Sequence, residues 1–503
     1  MARYSLVLAL LAVALLAAAC GSDKKSGAAQ LTPSGAIFYG QATLDPEGGQ
    51  KKALERLIAK FPGSGPPGQR VQDLLERALR ESDSGLSFRR DVKPWLGDEA
   101  AFFLAGPLRE GQAQNTAFLV KADDEGAARA AVSKAARGRG SKQSYEGHDY
   151  MRFEDGAAGT VSGFLVLGTE GGFKAAVDAA EDGKTLSDSD DFDKAVDDLP
   201  DERLGFFYVD PRKLLESAGA LGTAALAPFK RAFGEPYTAS VDADDTGVEL
   251  AAELPKSFTA LLGPALGEGS DLLGDLPGDS WLALGQTDLG KTLSQYVGLF
   301  AESLGGREVL ERQLRAATGL DLQRDVLDWM GDFGVFVRGN SVRSLGGALV
   351  IETTDPAASR RALAALGRLV RREEPDDVGP LTAPGGGQGF TVRDPQLPQP
   401  VHIFQRAGRV VAAYGDAAAR DALRPSRKLS ESSSFRDAAA SLGEGFSVST
   451  YLAVKPLFRL IENEAGDFRV AQARPYVEPL GALVAGARRD GDRLESRLRV
   501  TIP

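Results

Sequence analysis

Two histidines, a single cysteine and several acidic runs are the side chains in this chain that could do chemistry. A zinc site needs three or four converging His, Cys or carboxylate ligands. Neither His148 nor His402 has a partner at such a spacing. A Ser-His-Asp hydrolase needs one of them as its base, and no G-x-S-x-G turn is present to carry the nucleophile. The acidic run Asp188-Ser189-Asp190-Asp191-Phe192-Asp193 suggests a calcium loop. An EF-hand, however, requires glycine at the sixth position and a bidentate Glu at the twelfth, where this chain has Asp193 and Leu199. Gly385-Gly386-Gly387-Gln388-Gly389 follows a proline and not a strand, so it reads as a loop and not a phosphate cradle. Neither a metal nor a nucleotide cofactor is expected.

The most specific local pattern occurs twice. Asp91, Val92, Trp95, Gly97 and Asp98 form D-V-x-x-W-x-G-D, and Asp325, Val326, Trp329, Gly331 and Asp332 repeat it. Helical spacing sets each Val beside its Trp, and Gly-Asp turns the chain into the next strand. Burial of the indole accounts for the pattern, and a ligand-stacking surface is the functional alternative. Gln41 and Gln286, polar ends of otherwise apolar first strands, are a second shared candidate pair.

These coincidences belong to a longer self-similarity. Gly85–Asp98 and Gly319–Asp332 share eight of 14 residues, and LLERALR from Leu74 is matched by VLERQLR from Val309. Further blocks recur in the same order: Ile37–Gln41 with Leu282–Gln286, Thr116–Val120 with Gly347–Ile351, Phe192 with Phe435, and Val209-Asp210-Pro211 with Val454-Lys455-Pro456. The chain is therefore expected to hold one module twice, at 31–256 and 276–503, joined by a connector at 257–275. Comparing the copies filters the candidate sites. The acidic run becomes Ser430-Glu431-Ser432-Ser433-Ser434-Phe435, which keeps the phenylalanine and loses most of the acid. That fits a capped helix start with a packing Phe.

The first residues predict export. Arg3 precedes an uncharged apolar run, Leu6–Ala19, which ends at Cys20. This is the layout of a secretory signal peptide, residues 1–19, and the run is shorter than the ~20 residues a spanning helix needs. Ala17-Ala18-Ala19-Cys20 resembles the lipobox of bacterial lipoproteins, although the favoured leucine stands at Leu16 and not at position 17. The expectation is a lipid on Cys20, residues 20–30 as a flexible tether, and a body anchored to the outer face of the cell membrane. Ordinary signal peptidase cleavage after Ala19 is the alternative. A net charge of −11 argues against nucleic acid as a partner.

Within each module the hydrophobic pattern predicts α+β architecture. A short strand opens it (Ala36–Tyr39; Ser280–Leu284), helices follow, and two strands come next (Ala100–Leu104 and Ala117–Val120). From Ala117 to Val209 the order β-α-β-β-α-(α)-β suggests a ferredoxin-like core. An antiparallel or mixed sheet with helices mainly on one face is expected. Asp355-Pro356 marks a helix start, and Asp244–Gly247 a hairpin turn.

With the duplicated module, the repeated D-V-x-x-W-x-G-D and the lipobox, the chain resembles the uncharacterised bacterial family labelled domain of unknown function 3352. That resemblance implies an exported, membrane-associated protein and brings no activity, substrate or catalytic residue. The function expected is a non-enzymatic binding or scaffold module for an unknown envelope component. A hydrolase working through paired carboxylates, or a small-ligand site between the modules, is the alternative.

Overall fold

Successive residues of one strand feed two different cores. In β3 (Asn115–Ala122), Ala117 and Leu119 join one apolar cluster, while Val120 and Ala122 join another. A strand sends neighbouring side chains to opposite faces, so this sheet is covered on both. The computed structural model describes residues 27–503 except 46, 64, 83, 107–114, 218–233, 256–266, 301–305, 466–467 and 492. The predicted signal peptide and Cys20 lie outside the described residues. Two units divide the chain, Met1–Ala252 and Glu253–Pro503.

Beside β3, the first unit contains β1 (Ala36–Thr43), β2 (Leu96–Ala105), β4 (Ser141–Tyr145), β5 (His148–Phe153), β6 (Gly156–Val161), β7 (Phe164–Gly168), β8 (Gly205–Val209) and β9 (Tyr237–Asp244), and most of β10 (Gly247–Pro255). Their order is β4-β5-β6-β7-β3-β2-β1-β8-β9-β10, antiparallel at every step. On one face lie the helices Glu170–Asp182, through Phe173 and Val177, and Asp190–Asp197, through Phe192 and Val196. On the other lie Pro67–Glu81, through Leu75 and Leu79, and Glu125–Ala136, through Ala128 and Val132. The expectation of helices mainly on one face is thus corrected. Phe164-Leu165-Val166-Leu167 is a continuous apolar run because both of its faces are buried.

The second unit contains β11 (Leu282–Gln286), β12 (Met330–Arg338), β13 (Gly346–Thr353), β14 (Val378–Pro380), β15 (Gln388–Val392), β16 (Val401–Arg406), β17 (Arg409–Tyr414), β18 (Ser447–Ala453), β19 (Ala482–Asp490) and β20 (Arg493–Thr501). The order is β14-β15-β16-β17-β13-β12-β11-β18-β19-β20, again wholly antiparallel. Helix Ser433–Ala440 packs on one face through Phe435 and Ala438. Helix Pro356–Glu373 packs on the other through Ala358 and Leu363. Asp355 caps the latter as predicted, its Oδ1 accepting from the N–H groups of Ala357 (2.8 Å) and Ala358 (3.0 Å).

Three expectations change. A ferredoxin-like core would set the closing strand beside the opening one. Here β8 pairs with β1 and β9, and β3 takes β2 as its other neighbour; the two strands that precede the predicted core are inserted into it. The ordered body also begins earlier than residue 31. Ala28 and Ala29 are fully buried, and Ala28 donates its N–H to Glu99 Oε1 (3.1 Å). Likewise Leu272 and Leu273 of the expected connector belong to the second unit's core. Finally, the two glutamines do not correspond. Tyr39 lies opposite Phe103, whereas it is Ala283 that lies opposite Phe336, and all four face a core. That one-residue offset against the sequence match sends Gln41 and Gln286 to opposite faces of their sheets.

One buried group is poorly compensated. Arg203 is 1% exposed and lies over the Phe206 ring at 5.1 Å, and its Nη1 donates to Pro200 O. Its Nε and Nη2 have no hydrogen-bond partner. Burial pushes the Arg203 guanidinium below its ordinary pKa and the nearby Asp242 carboxyl above its own. Replacing such charges by neutral groups of similar volume is often neutral or stabilising. The double variant Arg203→Met/Asp242→Asn is accordingly expected to match or exceed wild-type stability in urea denaturation. A loss of more than about 1 kcal/mol would contradict this.

Candidate functional site

Each D-V-x-x-W-x-G-D segment forms a one-turn π-helix, Phe88–Val92 and Leu322–Leu327. The wider turn is closed by Lys93 N–H to Phe88 O (2.7 Å) and by Asp328 N–H to Gln323 O (2.8 Å). In both, the indole Nε1–H returns to the aspartate carbonyl four residues earlier, Trp95 to Asp91 (2.7 Å) and Trp329 to Asp325 (3.1 Å). The aspartate carboxylate accepts the N–H that precedes the turn, from Ser87 (2.8 Å) or Asp321 (3.0 Å). π-Turns often mark functional positions, but these close on themselves. Trp95 is 2% and Trp329 4% exposed, so neither ring offers a stacking surface. Gly97-Asp98 and Gly331-Asp332 lie within β2 and β12, where the register shifts, and not in a turn before the strand. Asp98 pairs with Lys121 Nζ (3.0 Å), and Asp332 accepts from Ser270 Oγ (2.6 Å) and Asp288 N (3.2 Å). Gln41 accepts from Tyr39 Oη (2.9 Å) inside the core, and Gln286 Oε1 is buried without a partner.

The acidic run is a helix start. Ser189 caps Asp190–Asp197 by accepting from Phe192 N (3.4 Å), and Phe192 is fully buried. His148 is a surface partner of Glu181 (3.1 Å). His402 is more interesting: fully buried on β16, it lies between Thr391 Oγ1 (3.0 Å, at Nδ1) and Asp416 Oδ1 (2.8 Å, at Nε2). The Asp416 carboxylate can only accept, so His402 Nε2 donates to it. Thr391 Oγ1 in turn accepts from Thr382 N (3.0 Å). The set imitates a hydroxyl–imidazole–carboxylate relay, yet Thr391 is 1% exposed in the middle of a ladder, opposite His402. No reacting atom can reach it there.

A cavity of ≈540 Å³ opens elsewhere in the second unit, lined by Asp275, Glu352, Arg409, Arg424 and Lys428 over Leu423 and Pro425. Arg409 Nη2 bridges Asp275 (3.3 Å) and Glu352 (3.2 Å), and Lys428 Nζ holds Asp275 (2.7 Å). Lys428 first, and Arg409 with it, pull the Asp275 carboxyl below the usual carboxylate range against the effect of burial. A glycosidase acid needs its pKa raised, so Asp275 is tuned the opposite way. The cavity can accommodate a small polar solute, and no nucleophile–base pair stands in its lining.

The family model described as "Protein of unknown function (DUF3352)" matches residues 2–484, nearly the whole chain. The chain belongs to the DUF3352 family. No curated protein sequence matches this DUF3352 chain. Crystal forms I and III of TP0453 are 8% and 10% identical to it, with 78% of this chain and 94% and 96% of theirs covered. Their TM-scores are 0.17 and 0.19. Within this DUF3352 protein, sequence spacing did not point to Thr391 and Asp416 around His402, nor to the cavity around Arg409. Thr391 meets His402 only through the β15–β16 register. The cavity is assembled from separate segments at 275, 352, 407–409 and 423–428.

Proposed function

We propose that this DUF3352 protein is an exported lipoprotein, anchored through Cys20, whose two units are tandem copies of one α+β module. It serves as a non-enzymatic binding or scaffold module at the cell envelope. The observation that carries the proposal is the uncharged run Leu6–Ala19 ending in Ala-Ala-Ala-Cys, with Ala28 and Ala29 already buried in the first unit. The identical ladder order in the two units supports duplication. The inaccessible hydroxyl of Thr391 favours binding over hydrolysis.

Intact-mass measurement on protein extracted from membranes is expected to show a diacylglyceryl adduct on Cys20. A Cys20→Ala variant is expected to lose the adduct and partition into the soluble fraction. Finding wild-type protein already soluble and unmodified would overturn the anchor.

A further inference from the structure

The geometry points to one particular end of the first unit as the surface that faces the bilayer. This inference rests on the anchoring of Cys20. Gly27 lies against the Phe164 ring, where an added Cβ would come 2.9 Å from Cε2. Ala28 donates to Glu99 Oε1 (3.1 Å), Thr32 Oγ1 donates to Ala28 O (2.9 Å), and Ala28 and Ala29 are fully buried. From residue 27 onward the chain is therefore fixed to the body. Phe164 begins β7, and β3 ends at Ala122 alongside it; the β6–β7 turn Ser162-Gly163 closes the same edge. The β5–β6 turn Glu154-Asp155 lies at the other end of the six-residue strand β6, about 20 Å away at ~3.3 Å per residue.

Six residues separate Cys20 from Gly27, and the seven Cα–Cα steps reach at most about 25 Å when fully extended. An anchor at the headgroup level thus keeps the Phe164 end close to the surface and turns the Asp155 end outward. Affinity is not what holds it there. The acids Asp98, Asp123, Asp124 and Glu125 outnumber the bases Lys121 and Arg129 at this end, so an anionic bilayer does not attract it. The short tether sets the orientation.

Because Cys20 is the only cysteine, the mature chain can be coupled through its thiol to maleimide-headgroup lipid in phosphatidylcholine vesicles, without biological lipidation. Acridonylalanine is placed at Asp123 or at Asp155, and nitroxide-headgroup lipid serves as the quencher. Quenching several-fold stronger at 123 than at 155 is expected. A flexible Gly/Ser insert of about 20 residues before Gly27, with an r.m.s. length of about 25 Å, is expected to erase the difference. Equal quenching at both sites, stronger quenching at 155, or a preference that survives the insert would overturn the proposal. Since coupling is chemical, a missing native adduct on Cys20 would refute the anchor in cells and leave this measurement standing.

Discussion

Trp95→Ala or Trp329→Ala is expected to cost the unit that carries it about 3–5 kcal/mol, the range for removing a large aromatic from a closed core. Two losses combine. The indole leaves a void among Leu86, Phe88 and Val92 in the first unit, or beside Phe333, Ile351 and Leu363 in the second. In addition, the carbonyl of Asp91 or Asp325 loses the indole Nε1–H that it accepts. Tryptophan fluorescence cannot report both units evenly, because Trp95 is the sole tryptophan of the first while the second has Trp281 and Trp329. Two units also need not unfold together. Hydrogen–deuterium exchange of peptides from β2 and β12 under increasing urea separates them. Trp95→Ala should release β2 early and leave β12 unchanged, and Trp329→Ala the reverse. Phenylalanine at either position should recover part of the loss. An alanine variant with wild-type protection in its own unit would refute the packing role.

Whatever depends on local pattern could be read from the sequence. The D-V-x-x-W element, the Asp355-Pro356 helix start, the Ser189 cap and the β9–β10 turn each need only neighbouring residues. What depends on partners far along the chain could not. Tyr150–Phe153 and Phe164–Leu167 do form strands, but β6 lies between them. Gly156-Ala-Ala-Gly lacks the branched and aromatic residues that mark a strand. Its small side chains make room for the Phe173 ring, which an added Cβ on Gly159 would meet at 2.8 Å. Helices on both faces were missed for a similar reason, since a short apolar run looks the same whether one face or two are buried.

The glutamine pair shows how a correct block match can still misplace a side chain. Ile37–Gln41 and Leu282–Gln286 align as strings, and both form a central strand, paired on both sides. The ladders place Tyr39 and Ala283, not Tyr39 and Leu284, at equivalent positions. A single-residue offset is enough to reverse every side chain in a strand. The D-V-x-x-W segments tolerate no such offset, because the same carboxylate, carbonyl and indole contacts recur in both units.

Those recurring contacts yield the second large effect, at the aspartates. Asp325 is 4% exposed and its Oδ2 accepts from Asp321 N (3.0 Å), while Arg324 (2.8 Å) and Arg361 (3.4 Å) neutralise it from the solvent side. Asp325→Ala leaves the part-buried Asp321 N–H without its carboxylate and opens the turn that positions Trp329, an expected loss of about 2–3 kcal/mol. Asp91→Ala is expected to cost less, about 1–2 kcal/mol, because Asp91 is less buried and Lys134 (2.6 Å) is a flexible partner. The pH dependence has a definite sign. Arg324, followed by the Asp321 N–H, holds the Asp325 carboxyl well below the usual carboxylate range. Burial opposes the same shift at Asp91, but Lys134 and the Ser87 N–H outweigh it. A carboxylate depressed in the folded state contributes its stabilisation above its unfolded pKa, about 4, and loses it as pH falls through the folded value. Wild-type protein and Asp325→Asn should therefore differ most at neutral pH and converge as pH drops below about 4. Urea midpoints of the second unit at pH 7, 4 and 3 measure this. A gap that stays constant over that range would mean that the Asp325 charge does not hold the turn.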